Sequence, residues 1–197
     1  MANDDRFRAA MERFDAANRK DPNRENDLGK ESPKELLYSQ RMTRCLQHFA
    51  PEASESVQLA THAQHICRWR IPRDNYPKGR QGYRQWRTDL GKFHAETAGA
   101  IMDKVGYEQP EIERVQSLLC KQRLKADPEC QLLEDVICLV FLEYYLAEFA
   151  QQHDEAKLIN ILQRTWKKMS DRGHRSALAL PLPPPLRGLV EQAVGGL

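Results

Sequence analysis

One stretch of the sequence, residues 128–153, limits the fold more than any other. It reads PECQLLEDVICLVFLEYYLAEFAQQH, and from Val136 to Phe149 it is apolar on nearly every side of a helix. Outside a membrane, such a helix must be surrounded by other helices. Its longest unbroken apolar run, Val136 to Leu142, is about a third of the roughly 20 residues that a membrane-spanning helix needs. We therefore predict a buried central helix and no membrane span.

The rest of the chain is divided into helices by short segments rich in proline, glycine and polar residues. Ser32-Pro33-Lys34-Glu35 has the pattern of a capping box with proline at the first helical position. A third helix is predicted from near Ser54 to Trp69, before Ile71-Pro72. A long fourth helix is predicted from about Gly82 to Val105, ending at a glycine.

No segment shows the alternation of apolar and polar residues that predicts a strand. We therefore predict an all-α fold with a single helical domain built around the buried central helix. Residues 54–179 form its helical core and residues 1–53 an N-terminal helical extension packed on that core. Residues 180–197 form a proline-rich strap and a short C-terminal helix.

The cysteines and the first residues predict the compartment. The five cysteines are odd in number and widely spaced, so neither a disulfide framework nor a CxxC metal clip is indicated. The chain begins MANDDRFRAA, without the apolar run of a secretory signal. These features predict a cytoplasmic protein with reduced thiols. The net charge of +2 is too small to indicate polyanion binding by itself.

Two groups of histidines and carboxylates are candidates for a metal site. His62 and His65 are three residues apart, so on a helix both side chains could reach one ion. The simpler interpretation is a pair of exposed or aromatic-stacked histidines. Glu134 and Asp135 lie where the most buried helix begins, and a buried carboxylate needs a cation or hydrogen bonds. An ion pair with an arginine, such as Arg68, would serve equally well.

Residues 68–92 contain the strongest charge asymmetry in the chain. Eight basic residues stand against two aspartates there, and aromatic residues are interleaved with them. Basic and aromatic side chains together can hold phosphates and stack on bases. A solvated helix face whose aromatics pack inward explains the pattern equally well. The sequence has no glycine-rich phosphate loop and no GxSxG motif.

The order of motifs from Ser54 to Tyr145 resembles that of HD-domain proteins, a helical family named for a metal-binding His-Asp dyad. The phrases that carry the resemblance are TDLGK at residues 88–92, HAE at residues 94–96 and LEDVICLV at residues 133–140. The resemblance implies His65 or His62 as the early histidine and Asp135 as the final aspartate. Thr88 stands where the family has the dyad histidine.

The chain as a whole resembles domain-of-unknown-function family 4202. This likeness rests on the phrases DPN, PKELLY, QHICRWRIPR, WRTDLGKFHAE and LEDVICLVFLEYY, which are spread over most of the sequence. It favours His65 over His62 as the residue that matters, and it implies no activity.

We therefore expect a metal-dependent hydrolase of a phosphate ester or nucleotide at a degraded HD-type site. The predicted metal ligands are His65, His94 and Asp135, and the ion would be Mn, Fe, Mg, Zn or Ni. The predicted catalytic groups are Asp89 and Glu134. The residues expected to hold the phosphate are basic: Arg68, Arg87, Lys92 and Lys121.

Two alternatives stay open. The first is a non-catalytic nucleotide-binding or RNA-binding protein that uses the basic and aromatic residues 68–93, and Thr88 is its main support. The second is a helical interaction module whose LPLPPPL segment docks a partner. The sequence does not indicate the oligomeric state.

Overall fold

The protein is described by a computed structural model, which covers residues 2–27 and 29–195. This part of the chain is almost entirely helical, so the all-α prediction is confirmed. The chain divides into two compact units, residues 1–130 and 131–197. The boundaries predicted after residues 53 and 179 stay predictions.

The described part of the first unit contains five α-helices and a small two-stranded sheet. Its elements are α1 (Ala2–Asn18), β1 (Arg24–Asp27), β2 (Lys30–Pro33), α2 (Lys34–Phe49), α3 (Glu55–His62), α4 (Gly79–Asp103) and α5 (Gln109–Leu119). Two 3-10 turns, Arg68–Arg70 and Arg73–Asn75, lie between α3 and α4.

The β1–β2 hairpin corrects the prediction of a chain without strands. The two strands pair antiparallel, with Arg24 opposite Pro33. Glu25 and Asp27 are two residues apart, so both side chains lie on one face of β1, and both carboxylates pair with the buried guanidinium of Arg41. Strands of four residues are too short to show an alternating pattern. Charge pairing to α2 holds this hairpin in place.

Helix α2 begins at Lys34, one residue later than the capping box predicted. Ser32 is part of β2, and Pro33 precedes the helix without capping it through a side chain. The backbone N–H of Glu35 donates instead to Oδ2 of the buried Asp21, at 2.9 Å. A residue distant in sequence therefore replaces the local cap, and the Glu35 side chain is free of that role.

Helix α3 is shorter than predicted, because it ends at His62 rather than near Trp69. Cys67 has a left-handed backbone, with φ of +53°. Its N–H donates to Oδ1 of the buried Asn18 at 2.9 Å, which holds the turn against α1. His62 and His65 therefore do not share a helix face.

Helices α4 and α5 form the antiparallel pair on which the rest of the first unit is built. A Cβ atom at Gly99 would lie 2.4 Å from Nε2 of Gln116 and 3.1 Å from Cγ2 of Ile112, so this glycine permits their close approach. Helix α5 starts with a capping box between Glu108 and Glu111. It ends at Leu119, and the chain then turns through Lys121, whose φ is +54°.

The second unit contains the predicted central helix in three segments. They are α6 (Pro128–Val140), a π-helical turn (Phe141–Tyr145) and α7 (Leu146–Gln151), and α6 starts at the end of the first unit. Its further helices are α8 (Glu155–Trp166), α9 (Asp171–Leu178) and α10 (Pro184–Val194). Leu133, Val136 and Leu142 are almost completely buried, as predicted for this helix. Among the described residues, no helix is long and apolar enough to cross a bilayer.

Candidate functional site

A cavity of about 460 Å³ lies within the first unit. Its walls come from the turn after α3, the middle of α4 and the end of α5 with the turn that follows. The polar side chains that line it include Gln64, His65, Arg87, Lys92, His94 and Lys121.

Local backbone geometry brings these side chains together. The left-handed turn at Cys67 ends the segment that carries Gln64 and His65. Arg87 and His94 are seven residues apart on α4, which is two helical turns, so they share one face. The left-handed backbone of Lys121 turns the chain at the end of α5. A non-glycine residue in this conformation is uncommon, and such positions cluster at functional sites.

His94 presents an unpartnered acceptor at this cavity. Its Nδ1 lies 2.8 Å from the carbonyl oxygen of Ile66, to which it donates. The other ring nitrogen, Nε2, is therefore unprotonated in the neutral ring, and it is buried without a hydrogen-bond partner among the described residues. Burial, the neighbouring His65 ring and the guanidinium groups of Arg68 and Arg87 hold the pKa of His94 well below its ordinary value. The ring stays neutral at physiological pH.

His65 is held from three sides. Nη1 of Arg68 donates to its Nε2 at 2.8 Å, and Oε2 of Glu35 lies 3.3 Å from its Nδ1. The ring of Tyr38 stacks on it with 4.0 Å between ring centroids. Burial, followed by the charges of Arg68, Arg87 and Lys121, holds the pKa of His65 well below its ordinary value. An acceptor for Arg68 and a donor toward Glu35 are the roles that a neutral ring can fill.

Glu35 and Arg68 complete the wall behind His65. Burial raises the pKa of Glu35 to about 7, and the charges of Arg68 and Lys34 oppose that rise. The Arg68 guanidinium lies over the Trp86 ring, 5.0 Å from its centroid, and burial lowers its pKa. Arg68 thus contacts His65 and Trp86, and it is not among the residues that line the cavity.

The charge of the cavity favours an anion. Arg87, Lys92 and Lys121 line it, whereas no aspartate or glutamate among the described residues does. In the part of the chain that the structure describes, neither Arg87 nor Lys92 forms an ion pair with a carboxylate. Arg87 and Lys92, which pair with no carboxylate among the described residues, lie next to neutral histidines and suit a phosphate group.

The other predicted site residues lie elsewhere. Asp89 is next to cavity residues in sequence, but it interacts with Tyr76: desolvation, followed by a hydrogen bond to the Asp89 carboxylate, raises the pKa of the Tyr76 hydroxyl. His62 is buried between Asp15 and Thr43, with 2.8 Å from Nε2 to Oδ1 of Asp15 and 2.8 Å from Nδ1 to Oγ1 of Thr43. It connects α1, α2 and α3.

Glu134 and Asp135 belong to the second unit and have partners within it. Oδ1 of Asp135 accepts from the backbone N–H of Ser170 at 2.8 Å, and Oδ2 accepts from the Ser170 hydroxyl at 2.5 Å. Ser170 in turn caps α9. The Glu134 carboxylate lies 3.5 Å from Nζ of Lys168. Asp135 is thus a hydrogen-bond acceptor for a helix cap.

Among the described residues, the imidazole nitrogens that line the cavity and could bind a metal ion are those of His65 and His94. The His94 nitrogen would fit, because its Nδ1–H is already oriented by a backbone carbonyl. The His65 nitrogen already accepts from a cation. Within residues 2–27 and 29–195, no group of three or more His, Cys, Asp or Glu side chains is arranged to hold a metal ion. The predicted ligands His65, His94 and Asp135 therefore do not form such a group among the described residues, and metal binding stays a prediction.

Three residues next to the cavity were not predicted. Glu35 was assigned to a capping box, whereas Tyr38 and Gln64 carried no chemical signal of their own. Their positions depend on the packing of α2 against the turn after α3, which no local pattern reveals. Among the aromatic residues of segment 68–93, Trp86 is buried and donates to the carbonyl of Ile71, whereas Trp69, Tyr76 and Phe93 are partly buried. Tyr83 is half exposed.

Comparison with protein families gives one match. The model described as Domain of unknown function (DUF4202) matches residues 8–190. Comparison with curated proteins gave no match, and neither did comparison with solved structures.

Proposed function

The chain belongs to the DUF4202 family, and we propose that its cavity binds a phosphate-bearing small molecule, a phosphate ester or a nucleotide. The observation that carries this proposal is the cationic lining of Arg87, Lys92 and Lys121 without a carboxylate among the described lining residues. An arginine can bind a phosphate through two parallel N–H donors, and a lysine adds a point charge. The cavity volume of about 460 Å³ is within the range of small-molecule sites.

Titration calorimetry with inorganic phosphate and with a nucleoside monophosphate tests this binding. Arg87→Ala and Lys92→Ala should each weaken binding about tenfold, the value of one charge-assisted hydrogen bond. Arg84→Ala is the matched control, because Arg84 is an exposed cation on the same helix that does not line the cavity. If Arg87→Ala and Lys92→Ala bound phosphate as tightly as the control Arg84→Ala, the cavity would not be the phosphate-binding site.

The unpartnered nitrogen of His94 favours hydrolysis of the bound phosphate ester as a second step of the same proposal. A neutral imidazole whose Nδ1–H is fixed by Ile66 can accept a proton from water through Nε2. The water oxygen then forms a bond to phosphorus and the ester P–O bond breaks. The leaving alkoxide takes a proton from solvent water, and His94 releases its proton to solvent. Arg87 and Lys92 would stabilise the charge on the phosphoryl oxygens during this step.

His94→Asn is the sharpest variant for this step, since its amide can still donate to the Ile66 carbonyl but lacks the Nε2 lone pair. We expect hydrolysis of a panel of phosphate esters to fall by about 10²–10⁴, the usual contribution of a general base. Phosphate affinity should stay within twofold. Wild-type protein that binds phosphate esters and hydrolyses none of them would reduce the proposal to a binding protein.

The metal-dependent form of this hydrolysis rests on the resemblance to HD-domain proteins and on the two histidines. If a divalent ion binds, His65 and His94 are the nitrogen ligands that the cavity supplies, and the ion would lower the pKa of a bound water. The binding of phosphate by Arg87, Lys92 and Lys121 requires no such ion.

A further inference from the structure

Gln64 lines the same cavity and has an acceptor that no protein group satisfies. It is 4% exposed, and its Oε1 is buried without a hydrogen-bond partner among the described residues. Leaving a buried acceptor unpaired is costly, and most such groups in folded proteins have a partner. Bulk water does not supply one here, because the atom has almost no exposed surface.

The position of Gln64 suits contact with a ligand. It precedes His65 in the turn after α3, so its side chain is held by the same left-handed turn. Gln64 itself lines the cavity, and rotation of its amide about the Cγ–Cδ bond would turn Oε1 toward the cavity surface. The buried Nε2 of His94 is a second unpartnered acceptor in this lining. The cavity therefore combines cationic side chains, which suit an anionic group of a ligand, with acceptor atoms, which suit a hydrogen-bond donor of the same ligand.

We infer that the ligand of this cavity carries a hydroxyl or amino group besides its phosphate, and that Gln64 Oε1 accepts a hydrogen bond from that group. The inference rests on the proposed phosphate binding and narrows its ligand class. Plain alkyl phosphates satisfy the cations but leave Oε1 unpaired. Sites built to bond a substrate hydroxyl reject analogues without it, because their buried polar groups are then unpaired.

Two probes with the same three-carbon chain separate these cases. Glycerol 3-phosphate carries free hydroxyl groups, whereas n-propyl phosphate carries none. By titration calorimetry at one pH and ionic strength, wild-type protein should bind glycerol 3-phosphate at least about tenfold more tightly, the equivalent of one buried hydrogen bond. Inorganic phosphate serves as the third probe, because it reports the cationic lining alone.

Two substitutions assign the preference to Gln64. Gln64→Met keeps the volume and removes the acceptor, so the affinity ratio of the two esters should fall to about one while n-propyl phosphate still binds. Gln64→Glu keeps an acceptor oxygen, so the ratio should survive although both affinities fall through charge repulsion. Gln85→Met, on an exposed glutamine of α4 outside the cavity, is the matched control and should leave the ratio unchanged.

Each outcome decides the inference. Equal binding of both esters by wild-type protein overturns it, as does binding of inorganic phosphate without either ester, and both results leave the proposed phosphate binding intact. If the preference for glycerol 3-phosphate persists in Gln64→Met, Gln64 is not the acceptor that produces it. If Gln64→Met fails to fold, loss of the ratio in Gln64→Glu overturns the same assignment. Absence of binding by all three probes overturns the proposed function and the inference together.

Discussion

Oε2 of Glu35 lies 3.3 Å from Nδ1 of His65, so a buried carboxyl group faces the outer nitrogen of a cavity histidine. Glu35 and His65 come from α2 and from the turn after α3, and Arg68 contacts both of them. Burial makes the charged form of Glu35 costly and raises its pKa from 4.5 to about 7. This carboxyl group therefore titrates near neutral pH.

The first prediction is a pH-dependent stability that Glu35→Gln removes. Between pH 4.5 and 7 the folded protein keeps a proton on Glu35 that the unfolded chain has released, so this group's contribution to stability falls as pH rises through that window. Above pH 7 the full cost is about 3 kcal/mol.

Urea unfolding of wild type and Glu35→Gln from pH 4 to pH 8 measures this dependence. From pH 4.5 to 7, the free energy of unfolding of wild type should fall relative to that of Glu35→Gln. Above pH 7 the difference between the two should stay constant. Glu31→Gln, at an exposed position of β2, is the control and should show no such gain. A difference between wild type and Glu35→Gln that is constant with pH would contradict the raised pKa.

The second prediction separates the two histidines that the sequence suggested as a pair. His62 is buried and bonded to Asp15 and Thr43, so His62→Gln should lower the free energy of unfolding by about 1–3 kcal/mol. Affinity for inorganic phosphate should stay within twofold. His48→Gln, at an exposed position of α2, should change neither quantity. A loss of phosphate affinity without a loss of stability would place His62 in the site.

The sequence predicted the helices whose signals are local. The glycine that follows α4 and the apolar run of α6 both appear in the structure. Ends set by tertiary contacts were missed. The start of α2 depends on Asp21, and the turn after α3 depends on Asn18, and both are distant in sequence from what they bond.

The same distinction explains which cavity residues were found. Arg87 and Lys92 were visible as cations in a segment of uneven charge, Lys121 as a cation near the predicted end of α5, and His65 and His94 as ionisable groups. Gln64 was not, because an unpaired acceptor exists only once a fold has buried it. The assignment of Asp135 to the site came from a family phrase. Its observed bonds to Ser170 come from contacts across 35 residues of sequence, which no local pattern gives.

The third prediction concerns removal of divalent metal. If the cavity binds phosphate through Arg87, Lys92 and Lys121, as proposed, affinity for inorganic phosphate should be unchanged, within twofold, after dialysis against a chelator. Calorimetry before and after dialysis, with elemental analysis of both samples, measures this. Loss of phosphate binding with the chelator, and its return with Mn, Fe, Mg, Zn or Ni, would favour a metal-bridged phosphate instead.

The fourth prediction tests Asp135, whose two interpretations give opposite signs for the stability of the metal-free protein. As a metal ligand, it would belong to a set of donors that repel one another without the ion, so Asp135→Asn would leave the chelated protein equally or more stable. As the acceptor for Ser170, it stabilises the start of α9 with or without metal.

We expect the second result, because both carboxylate oxygens of Asp135 already accept hydrogen bonds from the Ser170 backbone and hydroxyl. Asp135→Ala leaves these donors unpaired and should cost about 2–4 kcal/mol in the free energy of unfolding, with and without chelator. Ser170→Ala removes a helix cap and should cost about 1 kcal/mol. In the double variant the two costs should not add, since both changes break one shared contact. Additive costs, together with a wild-type melting temperature that falls on chelation while that of Asp135→Asn does not, would instead assign Asp135 to a metal site.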